Sequence, residues 1–245
     1  MKHILKFSFS IFILLVSFTG TSQEVKKKDS IKPKTERYGL RVGIDLNKLS
    51  RSFYDKNYKG LELVGDFKFT RSHYLAVDLG NENKTTDDTR LNFTTKGTFL
   101  KAGFDYNMYE NWTGMNNMLY VGLRFGVSSF SQTLNSYSIY NANPFFGEAP
   151  IVISGEKYNG LSAQWIEVVA GLKAELFNNF YAGFSIRMNN LVSNKTPENF
   201  DNLYIPGFNR THGGNFGAGF NYTISYFLPL YKSSIKPKEV KGKKK

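Results

Sequence analysis

From residue 38 to residue 231 the chain alternates apolar side chains with small or charged ones, about ten positions at a time. Alternation with a period of two marks β-strands whose two faces meet different surroundings. Eight segments carry it: 38–47, 59–69, 73–81, 97–108, 118–131, 162–176, 180–191 and 214–227. None has a convincing helical period. One face reads Leu40, Val42, Ile44 and Leu46, then Leu61, Leu63, Gly65, Phe67 and Phe69, and runs on in the same manner to Tyr222, Ile224 and Tyr226. Over the eight segments this face has 39 positions and no charge.

The opposite face is small and charged. It carries Arg41, Asp45, Glu62, Asp66, Lys68, Asp78, Lys101, Asp105, Arg124, Glu167, Lys173, Glu175 and Arg187, spaced by glycines such as Gly43, Gly80, Gly103 and Gly122. A lysine or arginine on a lipid-facing strand costs ~2–4 kcal/mol at the bilayer midplane, so a charge-free face is what lipid demands. Thirteen charges on the other face must pair, because an unpaired buried charge is costly. The glycines make room in an eight-stranded barrel, whose interior is only just wide enough for side chains. The pattern predicts a closed antiparallel transmembrane β-barrel of eight strands, or ten if residues 132–161 hide a hairpin. Val64, Phe99, Trp165 and Val169 interrupt it by placing apolar groups on the charged face.

The connections alternate too. Links 70–72, 109–117 and 177–179 are short, whereas 48–58, 82–96, 132–161 and 192–213 are longer. Short periplasmic turns and long outer loops are the habit of outer-membrane barrels, and an even strand number returns both tails to the periplasm. Aromatic residues gather at the short-turn ends, among them Phe67, Phe69, Tyr74, Tyr106, Tyr109, Trp112, Phe177, Phe180, Tyr181, Tyr226, Phe227 and Tyr231. Their amphipathic rings suit a membrane interface.

Composition changes the picture at the two ends. Residues 1–22 combine a basic start, an apolar run from Ile4 to Phe18 and a small-residue exit at Gly20–Ser22, which predicts a secretory signal peptide cleaved after Ser22. Residues 23–37 and 232–245 are lysine-rich with little to bury, and are expected to be disordered basic tails in the periplasm. With the signal, they hold nearly all of the net charge of +12, leaving about +1 for residues 38–231. A nucleic-acid-binding domain carries its positive patch on the fold itself, so no nucleic-acid partner is expected. The chain has no cysteine, which excludes a lipoprotein anchor, disulfides and thiol chemistry.

Gly217-Ala218-Gly219-Phe220-Asn221-Tyr222-Thr223-Ile224-Ser225-Tyr226-Phe227 resembles the closing strand of bacterial outer-membrane proteins, although a proline and a basic tail follow it. With Phe200-Asp201-Asn202-Leu203-Tyr204-Ile205-Pro206-Gly207-Phe208-Asn209-Arg210-Thr211, Arg90–Gly97 and Phe146–Pro150, it makes the chain resemble an uncharacterised family of small outer-membrane β-barrel proteins from Bacteroidota, a domain of unknown function. The resemblance covers the mature chain except its tails. It implies fold, outer-membrane lipid as surroundings and delivery by the barrel-assembly machinery, and it carries over no active site.

Candidate chemistry is sparse. His73 and His212 fall at opposite ends of the expected barrel and cannot share a metal, and neither a metal nor a cofactor is expected. An outer-rim protease resembling the omptins would need Asp87-Asp88 beside Asp201 and His212, a carboxylate-oriented general base. A soluble calyx binding an apolar ligand would need the 39-position face turned inward. The reading carried forward is a non-enzymatic barrel with a structural or recognition role. Its candidate outer-loop surface comprises Tyr137, Tyr140, Phe145, Phe146 and Tyr158 in one loop and Phe200, Tyr204 and Phe208 in another.

Overall fold

A computed structural model describes residues 34–111, 115–141, 145, 147, 149–198, 200–211 and 214–235. The expected signal peptide, most of both tails, Trp112, Phe146 and His212 lie outside the described residues.

Eight strands close into an antiparallel ring in the order β1-β10-β7-β6-β5-β4-β3-β2. They are β1 (Lys34–Asp45), β2 (Tyr58–Lys68), β3 (His73–Asp88), β4 (Leu91–Asn107), β5 (Met118–Tyr137), β6 (Val152–Phe177), β7 (Phe180–Lys195) and β10 (Phe216–Ile235). One helix, α1 (Leu46–Tyr54), follows β1, and a small hairpin, β8 (Tyr204–Ile205) with β9 (Asn209–Arg210), precedes β10. The ring holds eight strands, and residues 132–137 and 152–161 lengthen β5 and β6 instead of forming a separate pair.

The alternation resolves as in and out. Leu63, Val77, Leu100, Phe104, Leu123, Ile166, Ile186 and Phe220 face outward and are exposed, while the charged positions between them are buried. A calyx would require the reverse, and the burial rules that reading out. Three ring residues expected in the interfacial girdle turn inward: Tyr74, Tyr181 and Phe227 are each 1% exposed. Strand parity dictates it, because each neighbours a belt residue (Leu75, Phe180, Tyr226) that takes the outward side.

Several expected boundaries move. Residues 82–88 and 91–96 continue β3 and β4 to a two-residue turn at Thr89–Arg90, where β-branched residues pair across the strands and Thr85 Oγ1 lies 2.9 Å from Thr94 Oγ1. Tail residues 34–37 and 232–235 zip β1 to β10 from Lys34↔Ile235 to Arg37↔Lys232. There Arg37 meets Glu175 at 3.7 Å, and Arg71 bonds Glu36 at 2.9 Å.

A further departure is α1, expected as strand end and loop. Asp45 caps it: its carboxylate accepts from the backbone N–H of Asn47 (2.7 Å) and Lys48 (3.4 Å). Leu46, Leu49 and Phe53 then recur at helical spacing. Because β1 stops at Asp45, its ladder with β10 ends at Asp45↔Thr223 and its ladder with β2 at Ile44↔Leu63. β10 reaches on to Phe216 and β2 to Tyr58. The barrel wall therefore has a notch at the long-loop end, and α1 sits in it.

Candidate functional site

The interior is layered. At the short-turn end Arg41 lies under the ring of Tyr181 (4.3 Å to the centroid) and near that of Tyr74, donates to the Asn116 carbonyl at 3.1 Å and approaches Asp66 at 3.5 Å. Lys173 also pairs with Asp66, and Lys68 donates to Asn116 Oδ1 at 2.9 Å. Asn116, from the β4–β5 connection, thus caps this end of the lumen.

The middle layer is one ion-pair network. Arg187 reaches Glu62 (3.2 Å), Asp78 (3.1 Å) and Glu167 (3.2 Å). Lys101 bridges Glu62 (3.6 Å) and Glu167 (3.3 Å), and Arg124 bridges Asp78 (3.4 Å) and Asp105 (3.1 Å). The sequence-derived lumen residues Arg41, Asp45, Glu62, Asp66, Lys68, Lys101, Asp105, Arg124, Glu167, Lys173 and Arg187 are all buried, with Asp45 bonded to Asn221 as well as capping α1. Glu175 sits apart from them, with Arg37 at the short-turn end.

The third layer was not anticipated. Phe99, Phe130, Leu161, Ala163, Trp165 and Leu191 line the lumen toward the long loops, and the β8–β9 hairpin drops Ile205 and Phe208 among them. Phe208 meets Trp165 edge-on, 5.9 Å between centroids. Burying Ile205 and Phe208 stabilises this plug by ~1.5–3 kcal/mol each. Gly207 turns the hairpin at φ +81°, and a Cβ there would fall 2.5 Å from the Phe99 ring, so only glycine fits.

Glu82 pins the assembly together. Its carboxylate accepts from Tyr204 OH (2.8 Å), the Gly207 N–H (3.1 Å) and Tyr58 OH (3.0 Å), and it pairs with Lys48 of α1. Lys48 also reaches Glu62 at 3.1 Å. One carboxylate therefore ties β3, the plug and the helix in the wall.

The candidate loop surface divides. Tyr204 (2% exposed) and Phe208 (0%) belong to the plug, not to a surface, because the apolar lumen wall offers them burial that water does not. Phe200 and Tyr158 are half-buried and stack at 6.1 Å, with Phe93 edge-on to Phe200 at 5.7 Å. Tyr137 is half-buried, paired in the ladder with Val152 and Leu91. Tyr140 and Phe145 are exposed, close in sequence to exposed Ile139, Ile151 and Ile153, and Tyr140 lies 4.2 Å from the Arg90 guanidinium. The β5–β6 connection thus presents an exposed apolar tip.

The groups of the protease reading occupy ordinary strand-end and loop positions where they are described. Asp87 accepts from Asn92 (2.9 Å), Asp88 caps its own turn through the Thr89 N–H (2.7 Å), and the Asp201 carbonyl accepts from Gln132 (3.0 Å). His73 is exposed at the short-turn end, 2.9 Å from Thr70 Oγ1.

Between α1, the plug and β10 lies a cavity of about 650 Å³. Its floor is formed by Lys101, Glu167 and Arg187 of the network, and Arg51, Tyr54 and Asp55 stand at the helix side.

No functionally curated protein matches the chain in sequence. Among solved structures the barrel is similar to Ail, the attachment invasion locus protein of Yersinia pestis, at 13% identity over 82% of this chain and 100% of that one, with a TM-score of 0.39. It is similar also to CarO2 of Acinetobacter baumannii, at 10% identity over 79% of this chain and 99% of that one, with a TM-score of 0.34. A family model described as a domain of unknown function (DUF6048) matches residues 4–233, and the chain belongs to that family.

Proposed function

We propose that this protein is an integral, non-enzymatic outer-membrane β-barrel with a sealed lumen, both tails in the periplasm, and a recognition role carried by the long-loop end. The observation behind the reading is the inversion of ordinary protein surface chemistry. A continuous belt of Leu, Val, Ile and Phe side chains faces outward with no charge among them, while Arg, Lys, Asp and Glu are buried inside. Soluble monomers rarely expose contiguous apolar patches above a few hundred Å². A closed barrel satisfies its strand hydrogen bonds internally, as hydrocarbon requires. Outer-membrane lipid and the assembly machinery that inserts such barrels are the partners this reading needs.

The ion pairs and the plug fill the lumen, so the barrel is not an open pore. The purified full chain, reconstituted in planar bilayers, is expected to give no ohmic steps of nanosiemens size. Such steps would overturn the sealed-lumen reading, and release from envelopes by salt or alkali without detergent would overturn the membrane reading. The exposed tip around Tyr140 and Phe145 supports recognition, since exposed aromatic side chains on a connection carried by paired strands are suited to partner contact.

A further inference from the structure

The cavity beside α1 opens where the barrel wall is interrupted. β10 between Phe216 and Tyr222 has no ladder with β1, and the gap is spanned by the helix. The helix is held unevenly. On the β2 side Ser52 Oγ donates to the Gly60 carbonyl (3.0 Å) and accepts from the Gly60 N–H (2.7 Å). On the β10 side Asn47 Nδ2 donates to the Phe220 carbonyl at 3.1 Å. The seam between α1 and β10 is the weaker of the two.

Chemistry differs across that seam. Outside stand Phe216 and the helix residue Phe53 (83% exposed), while Phe220 and Tyr54 are exposed and also line the cavity. Inside, Lys48, Arg51, Lys84, Lys101 and Arg187 line the cavity against only Glu167 and Asp55, while Glu62, Asp78 and Glu82, which also partner Lys48, Lys101 and Arg187, stand outside its lining. Two buried groups reach the cavity with bonding capacity unused: Asn189, 2% exposed, has Oδ1 without a donor, and Arg187 Nε has no acceptor. Unmade hydrogen bonds at buried groups cost free energy that a ligand recovers. A donor and an acceptor on a cationic floor match a phosphate ester that also carries hydroxyls.

We propose that this cavity binds the phosphate- and hydroxyl-bearing head of a membrane amphiphile, whose acyl chains leave through the α1–β10 seam into lipid. The proposal rests on the membrane reading above. Gly219 lines the cavity beside its ladder partner Arg187, and a Cβ there meets only the Asn209 amide at 3.1 Å, the far end of a flexible side chain, so a large residue there has room to project into the cavity.

The test is native mass spectrometry on the full chain in neutral detergent, titrated with phosphatidylglycerol, with phosphatidylcholine, and with glycerol 3-phosphate as the tail-less head. A one-to-one phosphatidylglycerol adduct is expected, and glycerol 3-phosphate is expected to bind at least about tenfold more weakly. Gly219→Trp should cut the lipid adduct by about tenfold and Arg51→Gln, at the helix side, by several-fold. Heat-dependent gel migration checks folding, and Arg51→Gln decides if Gly219→Trp does not fold. Unchanged binding by the folded variants overturns the site. Equal binding of glycerol 3-phosphate overturns the lateral exit, and equal binding of phosphatidylcholine overturns the anionic head. A chain that stays soluble without detergent fails the membrane reading instead, a distinct result.

Discussion

Leu123→Arg is expected to destabilise the barrel in lipid by ~2–4 kcal/mol, the cost of a basic side chain near the bilayer midplane. Leu123 is central among the outward residues of β5, flanked by Val121 and Phe125 on its strand and paired with Phe104 on β4. In water the same exposed position would tolerate the change within about 0.5 kcal/mol, so the size of the loss reports the surroundings. The measurement is the urea midpoint of folding into vesicles of fixed composition. Arginine at Ile139, exposed beyond the belt on the β5–β6 connection, should be nearly neutral. A flat profile, with Leu123→Arg as mild as Ile139→Arg, would contradict the assignment.

The second large effect lies in the lumen. Arg187→Met should cost ~3–5 kcal/mol, because removing one partner of a buried ion pair leaves uncompensated charge. Arg187 is the hub of the middle layer, within 3.2 Å of Glu62, Asp78 and Glu167. Lys48, Lys101 and Arg124 remain for these carboxylates but, with Asp105 and Glu82 also to satisfy, cannot balance them all. Adding Glu167→Gln should recover part of the loss, and the double-mutant cycle should show coupling of at least about 1 kcal/mol. Additive losses would mean the network is a set of independent pairs. A lumen full of water would screen the charges and flatten both effects.

The belt and the lumen charges were legible because a strand's period of two sorts them without reference to any other part of the chain. What the pattern hid was everything that departs from the ring. Leu46 continues the sequence Leu40, Val42, Ile44, and so disguised the point where Asp45 caps a helix. The helical spacing of Leu49 and Phe53 after that aspartate was the signal available. Glu82 keeps parity with Asp78 and Gly80 and so belongs on the inner face, but an expected strand end at residue 81 placed it in a loop.

The plug was hidden for a different reason. Tyr204 and Phe208 look in sequence like any loop aromatics, and only a complementary apolar wall distinguishes burial from display. That wall was written into the chain as the irregularities of the charged face, of which Phe99 and Trp165 now pack on the plug. Apolar residues pointing into a charged lumen require an apolar filler, and the aromatic connection between β7 and β10 supplied one. Val169 has a separate partner set, packing with Tyr74, Met118 and Tyr120 near the short-turn end.

The most direct test of the central claim uses the absence of cysteine. Single cysteines placed at Leu119, Val121, Leu123 and Phe125, spin-labelled and reconstituted in vesicles, report relaxation by oxygen, which concentrates in hydrocarbon, against a water-soluble nickel chelate. High oxygen and low nickel accessibility, most extreme near Leu123, is the predicted result. Strong nickel relaxation at all four positions would mean that the apolar side of this barrel meets water.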